Sequence, residues 1–289
     1  MAFTGARVQA GSLRKGENVG LSPATVVLAV FGSRRHGACG LLQWTGPFLK
    51  EIMLDNYRGP RRLVAALSQA SFSHRLASLV ASEQAIPDLR RYFGTGLPDV
   101  TAPFTGSRFE HLAGGGDRPA VANTVTAEDL IAVQTLSVRI PAQVALDLLE
   151  GSLGDRLSEL LRSVRFDIDM VEAEAADLAE GSSAHTAWCL LRDQPGVGWV
   201  TAGKLLARKR PRLLPVYDQV VRCVLGRPKS LWLALHGALR ADEHELHRAL
   251  IALRQSAGLP ETVSALRVCD VVLWMHHRTD HRRKGCIGT

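Results

Sequence analysis

Residues 190–226 of this 289-residue chain read LLRDQPGVGWVTAGKLLARKRPRLLPVYDQVVRCVLG. The segment 196–198 (Gly-Val-Gly) predicts a tight turn, because two glycines let the backbone turn sharply while the valine between them fills the gap between the flanking elements. A helix is predicted to end near Pro195, and a second helix to begin at about Trp199. The stretch therefore predicts a helical hairpin.

The sequence around the hairpin is also helical in pattern. From Thr126 to residue 278, apolar side chains recur at spacings of three and four residues, and glycine or proline separates most of the segments. Leu157, Leu161 and Val164, for example, share one helical face. No alternating pattern typical of strands occurs in this region. We predict an all-α fold, a helical bundle of about ten helices with the hairpin inside it.

These patterns divide the chain into three regions. Residues 1–85 form a basic N-terminal segment whose interpretation stays open: a poorly ordered leader, a mis-assigned start or a small appendage. Residues 86–278 form the all-α domain, and residues 279–289 a basic tail.

Within the domain, the segment 97–125 is loop-like. Its triple glycine, at 114–116, lacks the preceding strand and the following Gly-Lys-Ser/Thr of a nucleotide-binding loop, so we predict a flexible connection.

Composition excludes several classes of protein. The chain is 46% apolar and 22% charged, which excludes collagen-like, rod-like and wholly disordered proteins. No apolar run approaches the roughly 18 residues of a membrane span, and no secretory signal is recognised. We therefore expect no membrane partner and a cytoplasmic location, on the nucleoid if the source is bacterial.

The five cysteines include no C-x-x-C pair, so we predict no metal site, no iron–sulfur cluster and no cofactor.

Positive charge is concentrated around the hairpin. Residues 195–230 hold eight basic residues and one acidic residue, Asp218, in a chain of net charge +7. Free N–H groups and the helix dipole at the start of the second helix favour an anion. Amides beside a basic flank suit a nucleic-acid backbone, whereas a packing joint without a ligand fits the same residues equally well. The basic flank comprises Lys204, Arg208, Lys209, Arg210 and Arg212.

The segment PGVGWVTAGKLL resembles the helix-hairpin-helix element of a DNA glycosylase superfamily (HhH-GPD), in which the hairpin precedes a loop and a catalytic aspartate. Asp218 follows Gly198 by 20 residues, which fits the spacing in that superfamily. The longer pattern GVGWVTAGKLLARKRP…PVYD also resembles an uncharacterised bacterial family. The matching positions are Pro195, Gly196, Val197, Gly198, Thr201, Ala202, Asp218, Val221, Arg222 and Val224.

The resemblance implies a function for each part of the motif. Such enzymes flip a base out of duplex DNA and cleave its N-glycosidic bond, so Asp218 is expected to be the catalytic carboxylate that assists a water molecule. Val200 stands where lyase-type members carry a lysine, and Lys204 lies one turn further on, which favours a monofunctional enzyme. Tyr217 and Trp188 are candidates for the base pocket. The residues expected to bind DNA are Gly196, Val197, Gly198, Trp199, Thr201, Lys204, Arg208, Lys209, Arg210 and Arg222.

Alternatives to this assignment stay open. Asp218 also fits a helix N-cap, or an ion pair with Arg222 one turn later, and neither role involves catalysis. A non-catalytic helix-hairpin-helix protein would bind DNA through the same hairpin without cleaving a base. A helical scaffold would use the hairpin as a packing joint and would have no nucleic-acid partner.

Overall fold

The computed structural model describes residues 60–96, 104–284 and 286, together with two short strands. The chain divides into two compact units, Met1–Val64 and Ala65–Thr289. The described part of the second unit contains helices, turns and loops, which confirms the predicted all-α class. Most of the predicted N-terminal segment lies outside the described residues.

The described residues form two strands and eleven α-helices. The strands β1 (Val26–Leu28) and β2 (Leu42–Trp44) belong to the first unit and pair antiparallel. The helices are α1 (Pro60–Val80), α2 (Ala85–Phe93), α3 (Ala127–Gln134), α4 (Ala142–Glu150), α5 (Ser152–Arg162), α6 (Ser183–Arg192), α7 (Trp199–Lys209), α8 (Gln219–Leu225), α9 (Leu231–Arg240), α10 (Glu245–Ser256) and α11 (Ala265–Lys284).

The core of the second unit is organised around α11. This helix carries buried apolar side chains on every face between Leu266 and Met275, so it is surrounded by other elements rather than lying at the surface. Helices α2, α8 and α10 pack against it. Helices α6 and α7 pack against each other, and they also contact α5 and α3, respectively. The predicted hairpin is therefore held from both sides by helical neighbours.

Local sequence explains where several helices begin. Thr126 caps α3 in a capping box with Asp129, in which Thr126 N donates to Asp129 Oδ2 at 3.1 Å. The predicted start of a helix at Thr126 is therefore confirmed. Ser182 and Ser230 cap α6 and α9 by accepting a hydrogen bond from a backbone N–H in the first turn.

Three details differ from the expectations. The segment 104–125, part of the predicted flexible connection, forms two 3₁₀ turns, and buried cations at the end of α7 donate to its carbonyl oxygens. Helix α11 continues to Lys284, so the predicted tail at 279–289 begins inside a helix. The apolar spacing from Arg61 to Val80 predicts a helix within the segment 1–85, and α1 confirms it; the buried side chain of Leu76 shows that this part of the segment belongs to the helical core.

Candidate functional site

The turn between α6 and α7 has the predicted shape. Gly196 adopts a left-handed conformation (φ +74°), and a Cβ there would lie 2.8 Å from Pro141 Cγ. Val197 N donates to Gln194 O at 3.0 Å, and the side chain of Val197 is buried. Gly196 and Gly198 are both exposed. The turn therefore presents its two glycines to solvent while the valine between them anchors it.

The first turn of α7 leaves amide groups available to an acceptor. Gly198 is the N-cap, and the helix begins with a hydrogen bond from Ala202 N to Gly198 O at 3.0 Å. The N–H groups that precede Ala202 therefore have no acceptor inside the helix. A Cβ built on Gly198 would meet no atom within 4 Å. Open space beside unbonded amides is what an approaching anion requires.

The carboxylate of Asp218 lies at the N-terminus of α8. Its Oδ1 accepts hydrogen bonds from Val220 N at 3.0 Å and Val221 N at 3.1 Å, so the side chain caps the helix. Its Oδ2 lies 3.5 Å from Nζ of Lys204, and the Asp218 side chain is 16% exposed. The helix-cap interpretation is confirmed. The ion pair forms with Lys204 of α7 rather than with Arg222.

Lys204 faces the protein interior. Its Nζ donates to Leu136 O at 2.9 Å, and its side chain is 5% exposed. Burial lowers the pKa of Lys204, and the negative charge of Asp218 opposes that change. The expectation that Lys204 contacts phosphate is therefore wrong, because its ammonium is already surrounded by protein. Thr201 is buried as well, so its side chain does not contribute to the exposed turn.

Aromatic and basic side chains surround the turn. The rings of Trp199 and Tyr217 lie 5.4 Å apart, and the guanidinium of Arg222 lies 5.1 Å from the centre of the Trp199 ring. Trp188 Nε1 donates to Trp199 O at 3.3 Å. The structure thus brings together seven of the predicted residues, which we call the hairpin surface: Trp188, Gly196, Gly198, Trp199, Tyr217, Asp218 and Arg222.

The predicted basic flank is wrong as a phosphate-binding surface. Arg208, Lys209 and Arg210 are buried and face the interior. Arg208 Nε lies 2.9 Å from one carboxylate oxygen of Asp129, and Lys209 Nζ lies 2.8 Å from the other. Arg210 donates to several acceptors, including Val164 O at 2.9 Å. Arg212 is exposed but is paired with a carboxylate through a hydrogen bond of 2.9 Å.

The three buried cations instead attach the segment 104–125 to the end of α7. Arg208 Nη1 donates to the carbonyl oxygens of residues 109 and 110, each at 2.7 Å, and Lys209 Nζ donates to Val121 O at 2.8 Å. Burial lowers the pKa of Arg210 to about 10. Because each cation donates to several oxygens, these bonds offset the loss of hydration. A run of basic residues in sequence does not distinguish this arrangement from a solvated surface.

A buried group of polar side chains joins α11 to the rest of the core, and the sequence did not predict it. Arg267 Nη1 donates to Asp270 Oδ2 at 2.6 Å, and Arg267 Nη2 donates to the hydroxyl of Tyr92 in α2. Ser264 Oγ donates to Glu110 Oε1 at 2.6 Å. Burial raises the pKa values of Glu110 and Asp270 to about 7. The feature of the sequence that indicates this group is the pair of charged residues, Arg267 and Asp270, within an otherwise apolar stretch.

Two cysteines and two histidines also come together, which the prediction of no metal site missed. Cys223, His277, His281 and Cys286 are half-buried, and one potential ligand atom from each lies within 4.8 Å of the others. His277 and His281 are four residues apart on one face of α11, a spacing visible in the sequence. Cys223 lies 58 residues before His281, so the sequence did not reveal the group.

The described fold is that of a helical protein with an exposed glycine turn beside a partly exposed carboxylate. The chain belongs to a family of unknown function (DUF6308), which matches residues 85–277, two thirds of the chain. The matched region extends from α2 into α11 and contains the whole hairpin surface. No curated protein and no solved structure matches the chain. Within the described residues, every helix is too short or too polar to span a bilayer.

Proposed function

We propose that this protein binds duplex DNA in base-excision repair, as a monofunctional DNA N-glycosylase in which Asp218 assists attack by water. One observation carries the proposal. The partly exposed carboxylate of Asp218 lies 3.5 Å from Lys204 of α7, the helix whose first turn offers unbonded amides to solvent. The ring of Tyr217, the residue before Asp218, also lies 5.4 Å from the ring of Trp199, the first residue of α7. A group that can bind phosphate and a group that can act on the sugar are therefore close together.

The hairpin surface supports DNA binding through a small number of contacts. The amides after Gly198 can donate hydrogen bonds to one phosphate, and the helix dipole adds to the attraction. Arg222 supplies a positive charge beside the ring of Trp199, at 5.1 Å. Trp199 and Tyr217 offer aromatic faces on which a base can stack. Because the cations at the end of α7 are buried, we expect a weak dependence of affinity on salt.

The proposed reaction needs a single carboxylate. The bond between C1′ of the sugar and the base nitrogen breaks, and its electron pair leaves with the base. A water oxygen forms the new bond to C1′, and Asp218 Oδ2 accepts a proton from that water. Lys204 holds Oδ2 in position. Lys204 is buried and its ammonium already contacts Asp218 and Leu136 O, so it does not reach the sugar, which supports hydrolysis without strand cleavage.

A non-catalytic DNA-binding protein is the second candidate function. The observation in its favour is that both oxygens of Asp218 already have structural partners, the amides of α8 for Oδ1 and Lys204 for Oδ2. In this case the same carboxylate would fasten α8 to α7 and would contact no sugar. The two candidates share the hairpin surface and differ in the chemistry of Asp218.

The decisive experiment measures base release from duplex oligonucleotides that contain uracil, alkylated purines or 8-oxoguanine. Asp218→Asn keeps an oxygen that can cap α8 and removes the carboxylate charge. We expect release to fall about 10²–10⁴-fold, as for loss of a general base, while DNA affinity is retained. Asp169→Asn is the matched control, because Asp169 pairs with Arg212 away from the turn. Wild-type protein that binds DNA but releases none of these bases would support the second candidate.

DNA binding is tested by fluorescence anisotropy over a range of salt concentrations. We expect Arg222→Ala to weaken binding. The slope of log affinity against log salt should fall in magnitude by about 1, the contribution of one phosphate contact. The control is Arg165→Ala, because Arg165 is exposed and lies far from the turn. The residue before it, Val164, accepts a hydrogen bond at the C-terminal end of α7, about 16 Å from the turn. Wild-type protein without salt-dependent binding would contradict both candidates and favour a helical scaffold.

A further inference from the structure

Two thiols and two imidazoles meet where α8 packs against the end of α11. Cys223 Sγ lies 3.3 Å from His281 Nδ1, and Cys286 Sγ lies 3.7 Å from His277 Nε2. One ligand atom from each of the four residues lies within 4.8 Å of the other three. Among the described residues, this is the one group of at least three potential metal ligands that lie so close together, and its members come from α8, from α11 and from Cys286 after α11.

The spacing of these atoms suits a tetrahedral metal ion. Zinc bonds of about 2.3 Å to sulfur and 2.0–2.1 Å to nitrogen place neighbouring ligand atoms about 3.3–3.8 Å apart. No two of these atoms are more than 4.8 Å apart, so side-chain rotations that move the ligand atoms by about 1 Å would complete the coordination.

Local structure explains how distant residues come together. His277 and His281 are one turn apart, so their side chains extend from the same face of α11. Cys286 N donates to His281 O at 3.3 Å, which brings the second thiol close to that face. Helix α8 packs against α11 and supplies Cys223.

We propose that Cys223, His277, His281 and Cys286 bind a structural Zn²⁺ ion. Two thiolates and two imidazoles form the donor set that zinc prefers, and four protein ligands leave no open position for substrate. Binding releases one proton from each thiol, and the two thiolate charges then neutralise the ion. The site connects the end of α11 to α8 through Cys223, which lies five residues after Asp218, the N-cap of α8. This structural role does not depend on whether Asp218 is catalytic.

The test determines metal content in the full chain. Elemental analysis of protein purified without chelator, and again after incubation with Zn²⁺ and removal of excess, should give equimolar zinc. We expect Cys223→Ser and His281→Ala to lose it. Cys189→Ser is the matched control and should retain zinc, because Cys189 is a half-buried thiol 3.9 Å from a single histidine, His185. Wild-type protein without zinc after incubation, or variants that keep it, would overturn the proposal.

A spectroscopic measurement on wild-type protein keeps the proposal testable if the variants do not fold. Co²⁺ titrated into the full chain should produce the intense visible bands of a tetrahedral ion and a near-ultraviolet band from thiolate to cobalt. Added Zn²⁺ should abolish both. A weak spectrum typical of an octahedral ion with oxygen ligands, or no change on titration, would overturn the assignment.

Discussion

The ammonium group of Lys204 lies 3.5 Å from the carboxylate of Asp218 and 2.9 Å from the carbonyl oxygen of Leu136. This arrangement joins α7, which begins at the glycine turn, to the N-terminus of α8. Because Lys204 is buried, Asp218 and Leu136 O supply the interactions that compensate its loss of hydration. The position of Asp218 relative to the turn therefore depends on a lysine that does not reach the surface.

Lys204→Met should destabilise the fold and displace the carboxylate. Methionine fills a similar volume but leaves Leu136 O without its donor and Asp218 without its cation, at a cost of about 1–3 kcal/mol in the free energy of unfolding. Urea unfolding followed by circular dichroism measures this change. Lys229→Met, at an exposed position, is the control and should be close to neutral. Equal stability of the two variants would show that the Lys204 contacts contribute little.

Helices and their hairpin could be predicted because their determinants are local. The Gly-Val-Gly turn requires a positive φ at Gly196, and the amphipathic spacing of Leu157 and Leu161 appears directly in the sequence. The cap at Thr126 likewise needs residues three positions apart. In the hairpin surface, Tyr217 and Arg222 lie outside the two helices of the hairpin, so their contacts with Trp199 depend on tertiary packing rather than on local sequence.

The burial of the basic flank could not be predicted from the sequence, because it depends on partners that are far away along the chain. Arg208 is neutralised by Asp129, 79 residues earlier, and Arg210 bonds to Val164 O, 46 residues earlier. The metal-binding group has the same property, since Cys223 joins residues near the C-terminus. Local periodicity reports which face of a helix is polar, whereas the partner of a buried charge is set by tertiary packing.

The two glycines of the turn should respond differently to alanine. Gly196→Ala should lower stability by about 1–2 kcal/mol, because its φ is positive and Pro141 Cγ lies 2.8 Å from the new Cβ. Gly198→Ala should lower stability by less, about 0.5 kcal/mol, because its Cβ enters open space and alanine is a poorer N-cap than glycine, but it should weaken DNA binding about tenfold by obstructing the amides. Thermal unfolding and fluorescence anisotropy separate the effects. Unchanged DNA affinity in Gly198→Ala would contradict phosphate binding at this turn.

Asp129→Asn should be among the most destabilising single substitutions in this chain. The amide retains the size of the carboxylate but leaves Arg208 and Lys209 buried without their shared anion, at a cost of about 3–5 kcal/mol. Chemical denaturation gives the free energy of unfolding. Asp167→Asn, which disrupts the solvent-exposed pair with Arg165, should have little effect. A small effect of Asp129→Asn would mean that the backbone carbonyls alone stabilise both cations.

The protonation of Glu110 should make stability depend on pH. Burial raises the pKa of Glu110 to about 7, above its value of about 4.3 in an unfolded chain, so between these values the folded chain holds a proton that the unfolded chain has released. The free energy of unfolding should therefore fall by up to about 1 kcal/mol per pH unit between about pH 5 and pH 7. Glu110→Gln should reduce this slope in urea unfolding, and Asp270, whose pKa is also raised, should account for part of the remainder. Glu159→Gln, at an exposed position, should leave the slope unchanged. Identical slopes in wild type and Glu110→Gln would show that Glu110 is ionised in the fold.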